Sequence, residues 1–398
     1  MKWEKTTIGE HCVVTSSKRF HLSERSKDGI PFYCSKEIIQ KCKGEEITDC
    51  DHIREDFYNE VSKKFGVPKA NDLLVTTRGT IGIPYLYRPI DKFYFADGNL
   101  TWMKDFKDTL LPKYLYYWFL SYEGREKVNA IAKGTAQKAV PIAGIKLLEI
   151  TIPPVETQKR IVDILSVYDD LIENNQKQIK LLEEAAQRLY KEWFVDLHFP
   201  GYENTKIVDG VPEGWEKRYL IDIADVIMGQ SPKSEFYNKQ EEGLPFHQGV
   251  GSYGSRFVLD DTYCTSFTRI AEAGSILFSV RAPVGRLNFT KNKIIIGRGL
   301  AAINHKKGYQ SFMFYLLKER FFKEDLVGNG AIFAAISKEE LLRQTFCIAD
   351  DKLIKRFNIT ASLLDKKIEI LDTEILLLQQ SRDKLLSKLM NGDVGVEL

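Results

Sequence analysis

The 398-residue sequence has little excess charge and few cysteines. Its 57 basic and 55 acidic residues leave a net charge of +2 at pH 7, so overall charge does not indicate a nucleic-acid partner and any basic surface has to be local. The six cysteines include no Cys-x-x-Cys pair, and the spacing of Cys34, Cys42, Cys50 and His52 is atypical of a zinc site. We expect reduced thiols in a cytoplasmic protein, with no bound metal and no cofactor.

No long hydrophobic run is present either. The most apolar stretch, 114–120, is far shorter than the roughly 20 residues that a membrane-spanning helix needs. Residues 1–5 do not resemble the start of a signal peptide. We therefore expect no membrane association.

Sequence signatures of common catalytic classes are also missing. An adenine methyltransferase would need an Asn/Asp-Pro-Pro-Tyr/Phe element to hold its flipped base, and the sequence has none. It also has no Walker A, His-Glu-x-x-His or Gly-x-Ser-x-Gly sequence. The run 295–299 imitates a strand followed by Gly-x-Gly, but a third glycine and an amphipathic helix do not follow. We expect a non-catalytic chain, with a cryptic DNA-modifying enzyme as an alternative.

What the sequence does contain is a repeat. Residues 145–194 align with residues 341–390 at a constant offset of 196, and Trp3-Glu4-Lys5 recurs as Trp215-Glu216-Lys217. Two copies of one unit predict a pseudo-symmetric molecule and a pseudo-symmetric partner.

Each copy contains a stripe of mostly apolar residues at alternating three- and four-residue spacing, which predicts a long helix. The stripes are Leu165, Tyr168, Ile172, Asn175, Ile179, Leu182, Ala186, Leu189 and Trp193, and Ala361, Leu364, Ile368, Leu371, Ile375, Leu378, Arg382, Leu385 and Leu389. A helix of about 40 residues is about 60 Å long, so we expect the two stripes to pack against each other. The short linker that follows the first helix makes the pair antiparallel. The alternative is that each helix packs only on its own domain.

Each copy also has short β-rich runs, 72–77 and 274–280, that end at turns beginning with arginine. The turns, 78–82 and 281–285, match at an offset of 203. Continuous, nearly uncharged aromatic segments follow each turn, and we interpret them as core helices rather than base-stacking platforms. The aromatic segments are 114–119 and 312–317.

The layout resembles the specificity subunit of a type I restriction-modification system. In both, a W-x-x-x-x-I/L-x-D/E element opens a recognition domain, a strand ends in R-x-x-x-G, and I-P-P-x-E-x-Q-K-x-I leads into a long helix. Here these motifs stand at 3–10 and 215–222, at 78–82 and 281–285, and at 152–161. The second copy has Ile348-Ala349-Asp350-Asp351 in place of the double proline, which leaves the start of its helix open.

The resemblance implies an α+β fold in which two mixed α/β target-recognition domains are separated by two long antiparallel helices. The predicted boundaries are 1–152 for the first recognition domain, 153–198 for the central helical spacer, 199–214 for a linker, 215–348 for the second recognition domain and 349–398 for the C-terminal helical spacer. It further implies double-stranded DNA with a bipartite site, two methyltransferase subunits and, where present, a restriction subunit with helicase and nuclease activity as partners. A coiled-coil adaptor that binds no DNA is the other alternative.

Loops that differ on two similar frames are expected if the two half-sites differ. Arginine and lysine can bind phosphates or guanine edges, and asparagine or glutamine can read adenine. The predicted DNA contacts are Ser17, Lys18, Arg19, Arg78, Thr80, Gln137 and Lys138 in the first copy, and Lys233, Ser234, His247, Gln248, Arg281, Arg286 and Arg298 in the second.

Overall fold

The computed structural model describes residues 3–44, 47–134, 138–321 and 335–395. The chain forms two compact units: unit 1 comprises Met1–Lys177 and Leu371–Leu398, and unit 2 comprises Gln178–Ile370. Each unit therefore includes a part of both long helices. The five boundaries given above stay predictions, because they separate the helices from the recognition domains whereas the units divide each helix between them.

Unit 1 contains two four-stranded sheets, ordered β2-β9-β6-β7 and β3-β5-β4-β8, and a β1-β10 pair. The strands are β1 (Glu4–Thr7), β2 (Val13–Thr15), β3 (Arg25–Ser26), β4 (Ile30–Tyr33), β5 (Asp51–Ile53), β6 (Leu73–Thr76), β7 (Pro84–Leu86), β8 (Tyr94–Phe95), β9 (Leu100–Lys104) and β10 (Glu149–Ile152). The helices are α1 (Ile8–His11), α2 (Ser35–Cys42), α3 (Glu55–Lys64), α4 (Pro112–Leu120), α5 (Tyr122–Ile131) and α6 (Ile142–Lys146), followed by the long α7 (Val155–Phe194), which continues into unit 2.

Unit 2 contains sheets ordered β14-β22-β19-β20 and β15-β17-β16-β21-β18, with β13-β23 and β11-β12 pairs. The strands are β11 (Ile207–Val208), β12 (Val211–Pro212), β13 (Glu216–Tyr219), β14 (Ala224–Met228), β15 (Tyr237–Asn238), β16 (Leu244–His247), β17 (Tyr263–Cys264), β18 (Ile270–Ala271), β19 (Ile276–Ser279), β20 (Leu287–Phe289), β21 (Ile294–Ile296), β22 (Leu300–His305) and β23 (Thr345–Ile348). The helices are α8 (Leu220–Ile223), α9 (Gln310–Phe321), α10 (Lys338–Leu342) and the long α11 (Asp351–Met390).

The two units share one frame. The order β2-β9-β6-β7 of unit 1 returns as β14-β22-β19-β20 in unit 2, and the parallel pair β4-β8 returns as β16-β21. They differ in what lies between the shared strands. Between β4 and β5, unit 1 has the helix α2, whereas unit 2 has a loop without an α-helix between the corresponding strands β16 and β17. The α+β fold predicted from the sequence is confirmed.

The aromatic segments of α4 and α9 lie in the hydrophobic cores, as the sequence indicated. Tyr117 and Trp118 are at most 1% exposed in the core of unit 1, and Phe312 and Tyr315 are equally buried in the core of unit 2. They therefore support the sheets and offer no open platform for stacking bases.

The long helices pack against each other in antiparallel fashion within each unit. In unit 1, the Asn175 amide donates to Glu374 at 3.1 Å, and Arg382 donates to Asp169 at 2.7 Å, so that later residues of α7 meet earlier residues of α11. In unit 2, the rings of Tyr190 and Phe357 lie 5.7 Å apart. Asn175 and Arg382 belong to the predicted stripes, whereas their partners and the Tyr190–Phe357 pair lie beside them. The alternative in which each helix packs only on its own domain is wrong, because the two helices contact each other.

The second helix begins differently from the first. The Asp350 carboxylate accepts hydrogen bonds from the backbone N–H groups of Lys352 and Leu353, at 2.9 and 3.1 Å. An acidic N-cap thus satisfies donors that have no partner within the first turn of a helix. This explains how α11 begins at Asp351 without the double proline that precedes α7.

The predicted linker 199–214 is folded. It contains the β11-β12 hairpin, and Phe199 is buried with its ring 5.5 Å from that of Trp215. Among the described residues, no helix is both long and apolar enough to cross a membrane.

Candidate nucleic-acid interface

In unit 1, the turn that begins with Arg78 is closed by the last residue of β6. The Thr76 carbonyl accepts from Gly82 N–H at 2.7 Å, and the Thr76 hydroxyl oxygen accepts from Ile83 N–H at 2.9 Å. Gly82 has a φ of +80°, a left-handed conformation that glycine adopts readily. The closed turn leaves Arg78 and Thr80 exposed.

In unit 2, the matching turn is closed in the same way by Ser279. Its carbonyl accepts from Gly285 N–H at 3.0 Å, and its hydroxyl oxygen accepts from Arg286 N–H at 2.8 Å. Arg281 is exposed. Among the described residues, neither Arg281 nor Arg78 has a carboxylate within ion-pair distance. Within the described part of the chain, both guanidinium groups are therefore open to an anionic ligand.

A second segment lies beside each turn. Arg78 pairs with the backbone of Ala139, and the Gly79 N–H donates to the Lys138 carbonyl at 3.3 Å. This brings the exposed Lys138 next to Arg78, while the predicted contact Gln137 lies outside the described residues. In unit 2, Arg281 pairs with the backbone of Ala335 in the same manner.

The β21–β22 turn of unit 2 adds further predicted residues to this edge. Gly299 N–H donates to the Gln248 carbonyl at 3.1 Å, and Val280 N–H donates to the Gly299 carbonyl at 2.9 Å. A Cβ at position 299 would lie 2.4 Å from the Gln248 carbonyl oxygen, so this close approach requires glycine. Gln248 and Arg281 consequently line one shallow cavity.

Arg298 is exposed in the same turn and is held through its backbone, because its N–H donates to the Ser231 hydroxyl at 3.2 Å. Lys233 and Ser234 follow Ser231 and are also exposed. The Lys233 amine lies 3.8 Å from the Glu235 carboxylate. Unit 2 therefore places Gln248, Arg281 and Arg298 on one edge, with Lys233 and Ser234 on an adjoining segment.

Unit 1 has an acidic residue where unit 2 has Arg298. Asp97 stands two residues after β8, as Arg298 stands two residues after β21, and it pairs with Arg19 at 3.1 Å. Lys18 N–H donates to the Tyr94 hydroxyl at 2.9 Å, which fixes the backbone beside Arg19. The Ser17 hydroxyl oxygen is buried and has no hydrogen-bond partner among the described residues.

His247 does not face solvent. Its side chain is fully buried, with one ring nitrogen 2.9 Å from the Ser252 hydroxyl and the other 2.9 Å from the Asp260 carboxylate. A ring with both nitrogens engaged has no free edge for a base, so this placement argues against the predicted direct contact. Arg286 is half-buried and lines a different cavity from Arg281, together with Asn288 and Phe314.

Sequence reasoning missed Arg256, which looks like a surface residue in the run Gly254-Ser255-Arg256. Its side chain is 2% exposed, and its guanidinium lies 2.5 Å from the Asp365 carboxylate and 3.7 Å from the centroid of the Phe314 ring. Burial opposes the charged form, but Tyr315 and the carboxylates of Asp365 and Glu183 outweigh it, so the pKa of Arg256 lies above its usual value. No local pattern signals such a residue, because all its partners are distant in the sequence.

The described residues contain no group of three or more His, Cys, Asp or Glu side chains placed to hold a metal ion. Cys50 and His52, from the atypically spaced cluster, lie 4.0 Å apart as a simple pair. The site's chemistry is that of exposed cations and amides on loop edges.

Comparison with known proteins identifies relatives across most of the chain. The family model described as the type I restriction modification DNA specificity domain matches residues 1–184 and 212–351. A provisionally named type I restriction enzyme MjaX specificity subunit of Methanocaldococcus jannaschii is 32% identical over 327 residues, covering 80% of this chain and 76% of that protein. The MjaIX specificity subunit of the same organism is 28% identical over 332 residues, covering 78% and 76%.

A solved structure shares the fold. The crystal structure of a type I restriction-modification S subunit from M. genitalium superposes with a TM-score of 0.57 at 19% identity, covering 98% of this chain and 96% of that one. The family model matches each of the two copies separately, in agreement with the internal repeat.

Proposed function

Because this chain belongs to the type I restriction-modification DNA specificity family, we propose that it selects the bipartite DNA sequence on which partner methyltransferase subunits act. In this proposal each unit reads one half-site through its own loop edge. The observation that carries it is the pair of equivalent turns headed by Arg78 and Arg281, which stand on the same frame beside unlike neighbours. Equal frames with unlike edges suit two different half-sequences.

The proposed contacts divide by chemistry. Exposed arginines and lysines can bind phosphates or the O6 and N7 atoms of guanine, and Gln248 can pair with adenine in the major groove. His247 enters only as a residue that positions Gln248, because its ring is buried. The other proposed contacts are Ser17, Lys18, Arg19, Arg78, Thr80, Gln137 and Lys138 in unit 1, and Lys233, Ser234, Arg281, Arg286 and Arg298 in unit 2.

The helices are proposed to set the distance between the half-sites and to bind two copies of a methyltransferase. Val167 and Leu377 of unit 1 are 57% and 56% exposed, and their counterparts in the repeat, Leu363 and Leu181 of unit 2, are 62% and 65% exposed. Apolar side chains that stay in water at matched positions of both units support two equivalent protein-binding surfaces. A restriction subunit with helicase and nuclease activity can join such an assembly.

Catalysis is proposed to reside in the partners, with the assembly acting on DNA in the cytoplasm. The chain contributes sequence selection, which requires cationic and amide side chains at a groove rather than a reactive centre.

The decisive experiment is to co-express the chain with an adenine methyltransferase encoded beside it and to map methylated adenines across the host genome. We expect methylation at one motif composed of two unlike half-sequences separated by a fixed gap. The methyltransferase expressed alone, and the chain expressed alone, serve as controls. Methylation that is the same with and without this chain, or methyl transfer by the purified chain itself, would refute the proposal.

A further inference from the structure

The loop between β16 and β17 of unit 2 begins at Gln248, on the candidate DNA edge, and its tip contains Arg256. From Gln248 it passes through a short 3-10 turn, Val250–Ser252, and then forms a hairpin in which Tyr253 pairs with Val258. The Gly254 N–H donates to the Phe257 carbonyl at 3.0 Å, which closes the hairpin around Arg256.

The end of the loop near Gln248 is fastened by the buried His247. Its two ring nitrogens contact Ser252 and Asp260, which stand on either side of the hairpin. The Leu259 N–H also donates to the Ser252 carbonyl at 2.8 Å. The buried ring of His247 therefore joins both strands of the loop to the residue that precedes Gln248.

The tip of the loop is fastened to the helices of the same unit. The Arg256 guanidinium contacts Asp365 on α11 at 2.5 Å and lies 3.8 Å from Glu183 on α7. It also stacks 3.7 Å from the centre of the Phe314 ring on α9. A planar guanidinium can stack on a ring and bind carboxylates at its edge at the same time, whereas a lysine ammonium cannot do both.

In unit 1 the equivalent aspartate has a different arginine partner. The counterpart of Asp365, Asp169, receives its cation from Arg382 of α11, so the contact joins helix to helix. The segment that corresponds to the unit 2 loop carries α2 instead. A loop arginine of unit 1, Arg88, also lies 3.6 Å from a helix carboxylate, that of Glu173 on α7, but its side chain is 42% exposed whereas that of Arg256 is 2% exposed.

We propose that Arg256 is a positioning residue for the second half-site, holding Gln248 and its loop in register with α11 so that recognition by unit 2 depends on a side chain that does not face the DNA. The inference rests on the proposed function. Base discrimination needs contacts placed to within about 0.5 Å, and a loop released at its tip regains the conformational freedom that such placement removes.

The test compares Arg256→Lys with the matched variant Arg382→Lys of unit 1, each as the full chain with its methyltransferase. Binding is measured on the native DNA target and on two duplexes in which either the first or the second half-site is scrambled. The readout is the ratio of affinities for native and scrambled DNA at each half-site. Loss of folded protein lowers all signals together and leaves these ratios unchanged, so they report positioning rather than stability.

We expect Arg256→Lys to lower the ratio for the second half-site roughly tenfold, about the weight of one mismatched base pair, and to leave the first ratio unchanged. Arg382→Lys should change neither ratio. Unchanged ratios in Arg256→Lys, or an equal fall in both, would overturn the inference. Asp365→Asn, which keeps the size of the carboxylate, is the second variant if Arg256→Lys does not fold, and the same selective fall is expected. A wild-type chain that discriminates at neither half-site would instead refute the proposed function.

Discussion

Asp169 of unit 1 and Asp365 of unit 2 are counterparts in the internal repeat and occupy equivalent positions on the two long helices. Each accepts a hydrogen bond from a tyrosine of its unit, at 2.6 Å from Tyr117 and at 3.4 Å from Tyr315. The arginine beside each aspartate comes from a different place. Arg382 reaches Asp169 from α11, which joins the helices, whereas Arg256 reaches Asp365 from the recognition loop. Equivalent aspartates therefore stabilise two different interfaces: helix against helix in unit 1, and recognition loop against helix in unit 2.

The contacts between α7 and α11 also differ between the units. In unit 1 the seam, the line along which the two helices touch, contains the hydrogen bond between Asn175 and Glu374. In unit 2 it is aromatic, because the ring centroids of Tyr190 and Phe194 lie 5.7 and 5.2 Å from that of Phe357. A polar contact within an apolar seam fixes the register, because any shift would leave the amide unpaired, while aromatic packing contributes mainly buried area. The same spacing in sequence thus supports two different kinds of seam.

The largest expected difference is in the free energy of unfolding that is lost when Arg256 or Arg382 is replaced. Arg256→Met should lower the free energy of unfolding of unit 2 by about 3 kcal/mol, because the guanidinium that it removes is only 2% exposed and water does not readily take its place beside the Asp365 carboxylate, which is 18% exposed. Arg382→Met should cost about 1 kcal/mol in unit 1, since Arg382 is itself 18% exposed, so that water can take its place beside Asp169. Hydrogen exchange under native conditions would locate the loss in each unit. Equal losses would show that the difference in burial between the two ion pairs has no energetic consequence.

A smaller effect is expected at the two matched turns. Arg78→Ala should weaken recognition of one half-site and Arg281→Ala that of the other, by roughly 1–3 kcal/mol for a lost base contact. A lost phosphate contact would instead weaken binding to all sequences alike, and the two outcomes separate in binding assays on native and scrambled duplexes. Arg343→Ala, an exposed arginine paired with Glu339, is the control and should bind normally. Normal methylation rate and affinity in both turn variants would mean that the turns are structural.

The smallest effect is expected at the Asn175–Glu374 hydrogen bond between α7 and α11 in unit 1. Asn175→Leu introduces at this position of α7 the residue that the second copy of the repeat carries on α11, Leu371, which is 1% exposed. The free energy of unfolding of unit 1 should rise by about 1 kcal/mol, because apolar surface replaces a buried amide and Glu374 is exposed enough to remain hydrated. Thermal unfolding measures the change. The adjacent Asn174→Leu, on the exposed face of α7, should give no gain, and a similar gain there would assign the effect to helix propensity rather than to the seam.

Structural features with a fixed period in the sequence could be predicted from the sequence alone. The three- and four-residue spacing of Leu165, Ile172 and Ile179 predicted both the helix and its buried face, since an α-helix repeats every 3.6 residues whatever it packs against. The internal repeat predicted the shared frame, because two similar sequences form similar local structure. The Arg78 and Arg281 turns were readable because their glycines and flanking strands are local features.

Features that depend on contacts formed only in the folded chain could not be predicted from the sequence. The residue type of His247 suggested a DNA contact, but its burial between Ser252 and Asp260 was decided by the fold of the loop. The start of α11 depended on whether Asp350 could reach the N–H groups of the first turn, which its sequence position left open.

The sequence by itself contained the duplication, and it determined the two long helices, their buried faces and the two arginine turns, because these elements follow from interactions between residues close along the chain. Tertiary structure alone decided which arginine neutralises which aspartate. Asp169 and Asp365 occupy matching positions in the repeat, yet their cations stand 213 and 109 residues away along the chain. At such separations the partner is chosen by packing, since burial of a charge is tolerated only where the folded chain brings an opposite charge within reach.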